Sequence, residues 1–146
     1  MFQRHPIQNS ALMFITTNTF NRSPFFADQA RAREAVECLY RVQSLYPFFL
    51  FGFVIMPDHC HFLLRVDPPL SISTIMNSFK SGLTFDTGIP KLWQSRFHMR
   101  VIDHHPEVVL QYIHMNPVKA GLIEQQGKYL WSSASGKWDI CQLDVV

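Results

Sequence analysis

Apolar residues fall in short blocks along this chain, and the spacing inside each block predicts its conformation. Residues 11–17 are apolar and β-branched, which reads as a strand. The polar, turn-rich stretch 18–24 follows. Over 27–45 the apolar residues Ala32, Ala35, Val36, Leu39 and Val42 recur at helical spacing, and Tyr46-Pro47 ends that helix. Residues 48–55 predict a second strand, Met56-Pro57-Asp58 a turn, and 59–66 a third strand that completes a hairpin. Asp67-Pro68-Pro69 breaks the run. A second helix is predicted over 71–83, with Ser71 or Ser73 as N-cap, and a loop over 84–91 around Gly88 and Pro90. Residues 96–102 read as a fourth strand and 107–116 as a third helix ended by Pro117. Gly121 marks a turn, and Trp131 and Trp138 fall in an irregular tail.

This order, β-α-β-β-α-β with one helix added, predicts an α+β fold. It matches the ferredoxin-like split βαβ sandwich, an antiparallel sheet with helices, plus an extra C-terminal helix. The length suits one domain over 1–146, with a core of about 11–133 and a tail over 134–146. No internal repeat or low-complexity run appears.

Composition narrows the class without naming a partner. A hydrophobic content of 47% with thirteen Phe excludes a disordered chain. The net charge of +2 permits nucleic-acid binding without demanding it, so basic residues must be clustered to matter. From Met76 to Lys137, Lys80, Lys91, Arg96, Arg100, Lys119, Lys128 and Lys137 outnumber Asp86, Asp103, Glu107 and Glu124. Cys38, Cys60 and Cys141 are odd in number, widely separated and without a C-x-x-C, as expected of reduced thiols in a cytoplasmic protein. The apolar run 48–56 is too short to span a bilayer, and the first residues carry no apolar signal core. A cytoplasmic protein without membrane attachment is the expectation.

The chemistry concentrates at His59-Cys60-His61 and at Tyr112-Ile113-His114-Met115-Asn116-Pro117. On a strand, side chains alternate faces, so His59 and His61 point one way and Cys60 the other. An i, i+2 imidazole pair can hold one divalent metal; the bland alternative is one solvated and one core histidine. Tyr112 and Asn116 are four apart on a predicted helix and share a face. Asn116 offers a hard oxygen suited to Mg²⁺ or Mn²⁺, and no third His or Cys beside the pair makes a closed zinc site. The Tyr112 phenol needs a metal-polarised phosphate to act as a nucleophile, since its reference pKa is about 10. A helical tyrosine is otherwise a packing residue. The set points to chemistry on a phosphodiester. Trp93-Gln94-Ser95-Arg96-Phe97 could stack a base and grip a single strand, or hold a core Trp beside an exposed Arg. Arg100, Lys119 and Lys80 are further phosphate-binding candidates, or solvated surface cations.

These motifs resemble the single-tyrosine HUH transposases of the small insertion-sequence type, and within them the branch associated with repetitive extragenic palindromes. The resemblance lies in Val54-Ile55-Met56-Pro57-Asp58-His59-Cys60-His61-Phe62-Leu63-Leu64, in Leu92-Trp93-Gln94-Ser95-Arg96-Phe97 and in Tyr112 through Ile123. It ends in Tyr129-Leu130-Trp131-Ser132-Ser133. It implies His59 and His61 as metal ligands, Tyr112 as nucleophile, and Asn116 where the family places its third ligand, often a Gln. It implies Mg²⁺ or Mn²⁺ as cofactor and single-stranded DNA, folded into a hairpin, as substrate. The implied reaction is transesterification through a 5′-phosphotyrosine, with no nucleotide triphosphate. Some relatives form homodimers that share active sites, and others act as monomers. The segment 80–93 is shorter than in many relatives and carries fewer basic residues.

Two other readings compete. A hairpin-DNA-binding protein derived from such a transposase would bind without cleaving. A metal-dependent hydrolase of the histidine-triad type would need His at a further alternating position, where Leu63 stands.

Overall fold

The computed structural model describes residues 10–143. Its central element is a four-stranded antiparallel sheet made of β1 (Leu12–Thr19), β2 (Phe49–Met56), β3 (His59–Arg65) and β4 (Trp93–Val101), in the order β2-β3-β1-β4. Helices α1 (Gln29–Leu45) and α2 (Ile72–Thr87) form the connections, and α3 (Pro106–Lys119) follows β4. The predicted ferredoxin-like sandwich with one added helix is the fold observed. No helix among the described residues is long and apolar enough to cross a membrane.

The period-2 alternation of the strands builds two cores, one on each face. Met13, Ile15, Phe53, Ile55, Cys60, Phe62 and Leu64 are buried on one face with the apolar stripes of α1 and α2. There Phe62 meets Phe79 of α2 edge to face at 5.2 Å between ring centroids. Leu12, Phe51, Val54, Met56 and Leu63 take the other face and receive Val109 and Ile113 of α3. The register pairs Thr16 with His61, Asn18 with His59 and Phe14 with Leu63, so these residues stand on the α3 face.

Local chemistry sets the ends of the helices. Asp28 caps α1 by accepting hydrogen bonds from the backbone N–H groups of Ala30 and Arg31. Ser71 caps α2 through the N–H of Thr74. Helix α2 runs one turn beyond the predicted end at Leu83, because the Thr87 hydroxyl bonds back to the Leu83 carbonyl and Gly88 closes the helix at φ 71°. Strand β4 likewise begins at Trp93, three residues earlier than predicted.

Pro117 does not end α3, which continues to Lys119. A proline so near the C-terminus forfeits one backbone bond, and the last turn is closed by Ala120 N–H donating to the Asn116 carbonyl. Val109, Ile113 and Pro117 form the buried stripe of this helix. Gly52 of β2 lies under it: a Cβ there would collide with Leu110, so the missing side chain lets α3 settle against the sheet.

Residues 129–141 are largely irregular, and they seal the outer edge of β2. Ile55 N–H donates to the Trp131 carbonyl, the Tyr129 hydroxyl donates to the Ile55 carbonyl at 2.7 Å, and Cys141 N–H donates to the Leu50 carbonyl. Trp138 packs on Tyr40, Phe53 and Trp131. Burial pushes the Tyr129 phenol up to about 12, with a smaller push from Cys60, so the hydroxyl stays a donor at neutral pH. Tyr129→Phe removes the partner of the Ile55 carbonyl and is expected to cost about 1–3 kcal/mol in urea unfolding. A midpoint equal to wild type would show that the tail does not hold the edge through this bond.

Candidate active site

The residues around the histidine pair come from three elements. His59 opens β3 immediately after the turn at Pro57 and Asp58, and its Nδ1 lies 2.7 Å from Asp58 Oδ1. Asp58 in turn pairs with the Arg22 guanidinium at 3.0 Å. Burial opposes ionisation of Asp58, but the hydrogen bond and charge of His59, together with Arg22, outweigh it and hold the carboxyl below its ordinary value. His61 is 5% exposed, with Nδ1 at 2.9 Å from Thr16 Oγ1 on β1. Both rings therefore have Nδ1 engaged. The Asp58 carboxylate can only accept, which puts the proton of neutral His59 on Nδ1 and leaves Nε2 as a lone pair, whereas the Thr16 hydroxyl can donate to His61 or accept from it and holds the ring plane.

Burial, helped by the charges of His59 and Arg22 and opposed by the Ile15 backbone, lowers His61 to about 3. A neutral imidazole is the form a metal needs. The two rings lie 4.7 Å apart between centroids.

Tyr112 meets this pair from α3. It is about half exposed, and its ring stands edge-on to His61 at 5.7 Å between centroids. Phe14 completes the cluster, stacked on His61 at 5.0 Å and edge-on to Tyr112 at 6.0 Å. The Arg100 guanidinium lies 5.5 Å above the Phe14 ring. Asn116 follows Tyr112 by one helical turn and is half-buried. A chain's own tyrosine is thus beside its own histidines.

The remaining predicted residues disperse. Arg96 is exposed on β4, in the stretch between Trp93 and Phe97 where the register with β1 shifts. Lys119 is exposed in the last turn of α3. Trp93 is paired with Thr19 and turns into the α1–α2 core, 5.6 Å from Phe26 and 5.7 Å from Phe79, with its indole N–H on the Lys80 carbonyl. The expected base-stacking platform is therefore a packing residue. Lys80 is half-buried, which lowers its pKa, and its ammonium donates to the Gln94 carbonyl. The two border a shallow pocket of about 400 Å³ shared with Asn77, Ser81, Thr84 and Gln94.

Sequence reasoning missed Thr16, Phe14, Asp58 and Arg22. Asp58 carried a local signal, a carboxylate next to a histidine. Thr16 and Phe14 become visible only once the β1–β3 register is known.

His59, His61 and Asn116 are the side chains here that could hold a divalent ion. Two imidazole nitrogens and an amide oxygen would leave positions open for phosphate and water. Among the described residues no group of three or more His, Cys, Asp or Glu is placed to hold a metal ion by itself.

Comparison with known proteins identifies the family. Residues 9–116 match the family model described as transposase, IS200 like. The chain belongs to the IS200-like transposase family. A curated relative, the REP-associated tyrosine transposase of Escherichia coli (strain K12), is 24% identical over 139 residues, covering 90% of this chain and 81% of that protein. A REP-associated tyrosine transposase solved bound to a REP hairpin superposes with a TM-score of 0.75 at 25% identity, covering 95% of this chain and 88% of that one. A transposase candidate from Deinococcus radiodurans shares the fold, with a TM-score of 0.57 at 17% identity over 80% of this chain and 97% of that one. The transposase family and the REP-associated tyrosine type expected from the motifs are what these comparisons find.

The depressed His61 makes a pH prediction. The unfolded chain takes up this proton near 6.5 and the folded chain near 3, so the stability from neutral His61 is complete above 6.5 and falls as pH drops toward 3. Between pH 7.5 and 5 the loss is expected to be about 2 kcal/mol, and His61→Asn should flatten that slope in urea titrations. A wild-type slope in the variant would show that His61 does not carry it.

Proposed function

We propose that this protein cuts and rejoins single-stranded DNA through a covalent bond to Tyr112, with the DNA presented as a hairpin. The observation that carries the reading is the Tyr112 ring edge-on to His61, beside two imidazoles whose Nδ1 atoms are both engaged by neighbouring side chains. Membership in a transposase family and the hairpin bound by the solved relative support it.

The Tyr112 phenolic oxygen attacks the scissile phosphorus and loses its proton to solvent. A tyrosine–phosphorus bond forms, the bond to the 3′ oxygen breaks, and that oxygen leaves as a 3′-hydroxyl after taking a proton. A 5′-phosphotyrosine remains. Attack by a 3′-hydroxyl reverses these steps and rejoins DNA, with the bond energy kept throughout. His59, His61 and Asn116 would hold Mg²⁺ or Mn²⁺, which supplies Lewis-acid polarisation of a phosphate oxygen when bound. Asp58 keeps His59 in the tautomer that offers Nε2, and Thr16 holds the ring of His61 in place. Phe14 fixes the plane of His61 and gives Tyr112 an edge to rest on. Arg100 and Arg96 are exposed cations on β4, the terminal strand of the sheet, where a phosphate backbone would run.

End-labelled hairpin oligonucleotides, incubated with Mn²⁺ or Mg²⁺ and resolved under denaturing conditions, test the reaction. Wild type is expected to yield a protein–DNA band that Tyr112→Phe lacks while still binding the hairpin. An adduct that persists in Tyr112→Phe would remove the tyrosine from its role, and binding without any adduct would make the protein a hairpin binder. The two arginines have their own test. Arg96→Ala with Arg100→Ala is expected to weaken binding severalfold and lower the salt slope of log K by about 1–2. An unchanged slope would put the DNA elsewhere.

A further inference from the structure

The tyrosine helix is held to the sheet at a point away from the histidines, by a hydroxyl that serves three masters. Ser133, 5% exposed in the tail, sits at the outer edge of β2 with its Oγ accepting from Phe53 N–H at 3.0 Å and donating to the Phe53 carbonyl at 3.3 Å. The same oxygen lies 2.7 Å from Nε2 of His114 on α3. A hydroxyl has one proton. With that proton on the Phe53 carbonyl, His114 must donate from Nε2, so the three bonds form one consistent network. Neighbouring bonds keep Ser133 in place: Ser132 bridges Val54, and Ser132 Oγ accepts from Ala134 N–H.

His114 lies two residues after Tyr112, and Leu110 lies two residues before it. Both point toward β2: Leu110 fills the space over Gly52, where a Cβ would strike it, and His114 reaches Ser133. Tyr112 stands on the other side of the helix, about half exposed, against His61 and Phe14. Two anchors that straddle the tyrosine on the opposite flank fix both the rotation of α3 about its axis and its position along the sheet. The Leu110 contact is apolar and tolerates sliding. The hydrogen bond is directional and does not.

We propose that His114 and Ser133 are positioning residues, a latch through which the C-terminal tail sets the attack geometry of Tyr112. The inference rests on the strand-transfer reading above for its catalytic consequence, and on the helix alone for its structural one. A displacement of about 1 Å in an attacking group can cost on the order of a hundredfold in rate.

The test compares His114→Leu, which removes the donor at similar bulk, with His114→Gln, whose amide N–H can replace Nε2. Each is measured for single-turnover adduct formation with saturating hairpin DNA and Mn²⁺, for hairpin affinity in EDTA, and for amide hydrogen exchange across 106–119 without DNA. His114→Leu is expected to slow adduct formation at least about tenfold with affinity within twofold of wild type. His114→Gln should recover most of the rate. A purely structural loss would instead lower affinity and rate together in both variants. His114→Leu at the wild-type rate, or His114→Gln as slow as His114→Leu, would overturn the proposal. If the wild-type protein itself forms no adduct, the strand-transfer reading fails and exchange decides the latch. Faster exchange of α3 amides in His114→Leu, restored in His114→Gln, would support it, and equal exchange in all three would overturn it. Ser133→Ala supplies a second check: combined with His114→Leu it should slow the reaction no further than the slower single variant.

Discussion

The alternation of side chains across β3, held in register by β1, is the constraint on which the rest of this molecule depends. His59 and His61 stand on one face because Cys60 and Phe62 are locked into the other, under α1 and α2. A shift of one residue would bury the imidazoles in a Phe-lined core and expose Cys60 to α3. The register also delivers Thr16 to His61 and Phe14 beside it. The large apolar core on one face therefore secures the polar arrangement on the other, without touching it.

The second face is built differently. Its apolar content is small, and α3 rests on it through a narrow stripe of Val109, Ile113 and Pro117. Such a helix needs help to hold one orientation. Gly52 allows it to come close, and the tail provides a fixed edge against which it is hydrogen-bonded. Tyr129, Trp131, Ser133 and Cys141 take up the outward-facing backbone groups of β2 at Ile55, Phe53 and Leu50. The irregular tail does the work of a fifth strand with both backbone and side-chain groups, and the Ser133 hydroxyl reaches α3 as well.

The strands and helices were legible in the amino-acid sequence because each carries a strong period, and the order of elements led directly to the sandwich. Their ends were less legible. Pro117 misled because a proline close to a helix end costs only one bond, and Thr84 through Thr87 misled because a polar last turn resembles a loop until its side chain–backbone bond is seen. Spacing alone put His59 with His61 on one strand face and Tyr112 with Asn116 on one helix face, while their roles came from the family resemblance. Spacing alone could not place Trp93: the same Trp-Gln-Ser-Arg pattern serves an exposed platform or a core residue, and strand parity with Thr19 decides it. The contacts of Thr16, Phe14 and Ser133 are long-range, and no local pattern announces them.

The two borders of the sheet are unequal. Along β2 the outward N–H and C=O groups are covered by the tail, whereas among the described residues β4 is the terminal strand on its side, with Lys80 on its Gln94 carbonyl and with exposed Gln94, Ser95, Arg96, His98 and Arg100. Uncovered strand borders invite copies of the same chain to join in register and grow into fibres. Here an antiparallel β4–β4 pairing would crowd guanidinium against guanidinium, and like charges opposed across strands repel. The cations that suit a polyanion thus also guard the protein against its own aggregation.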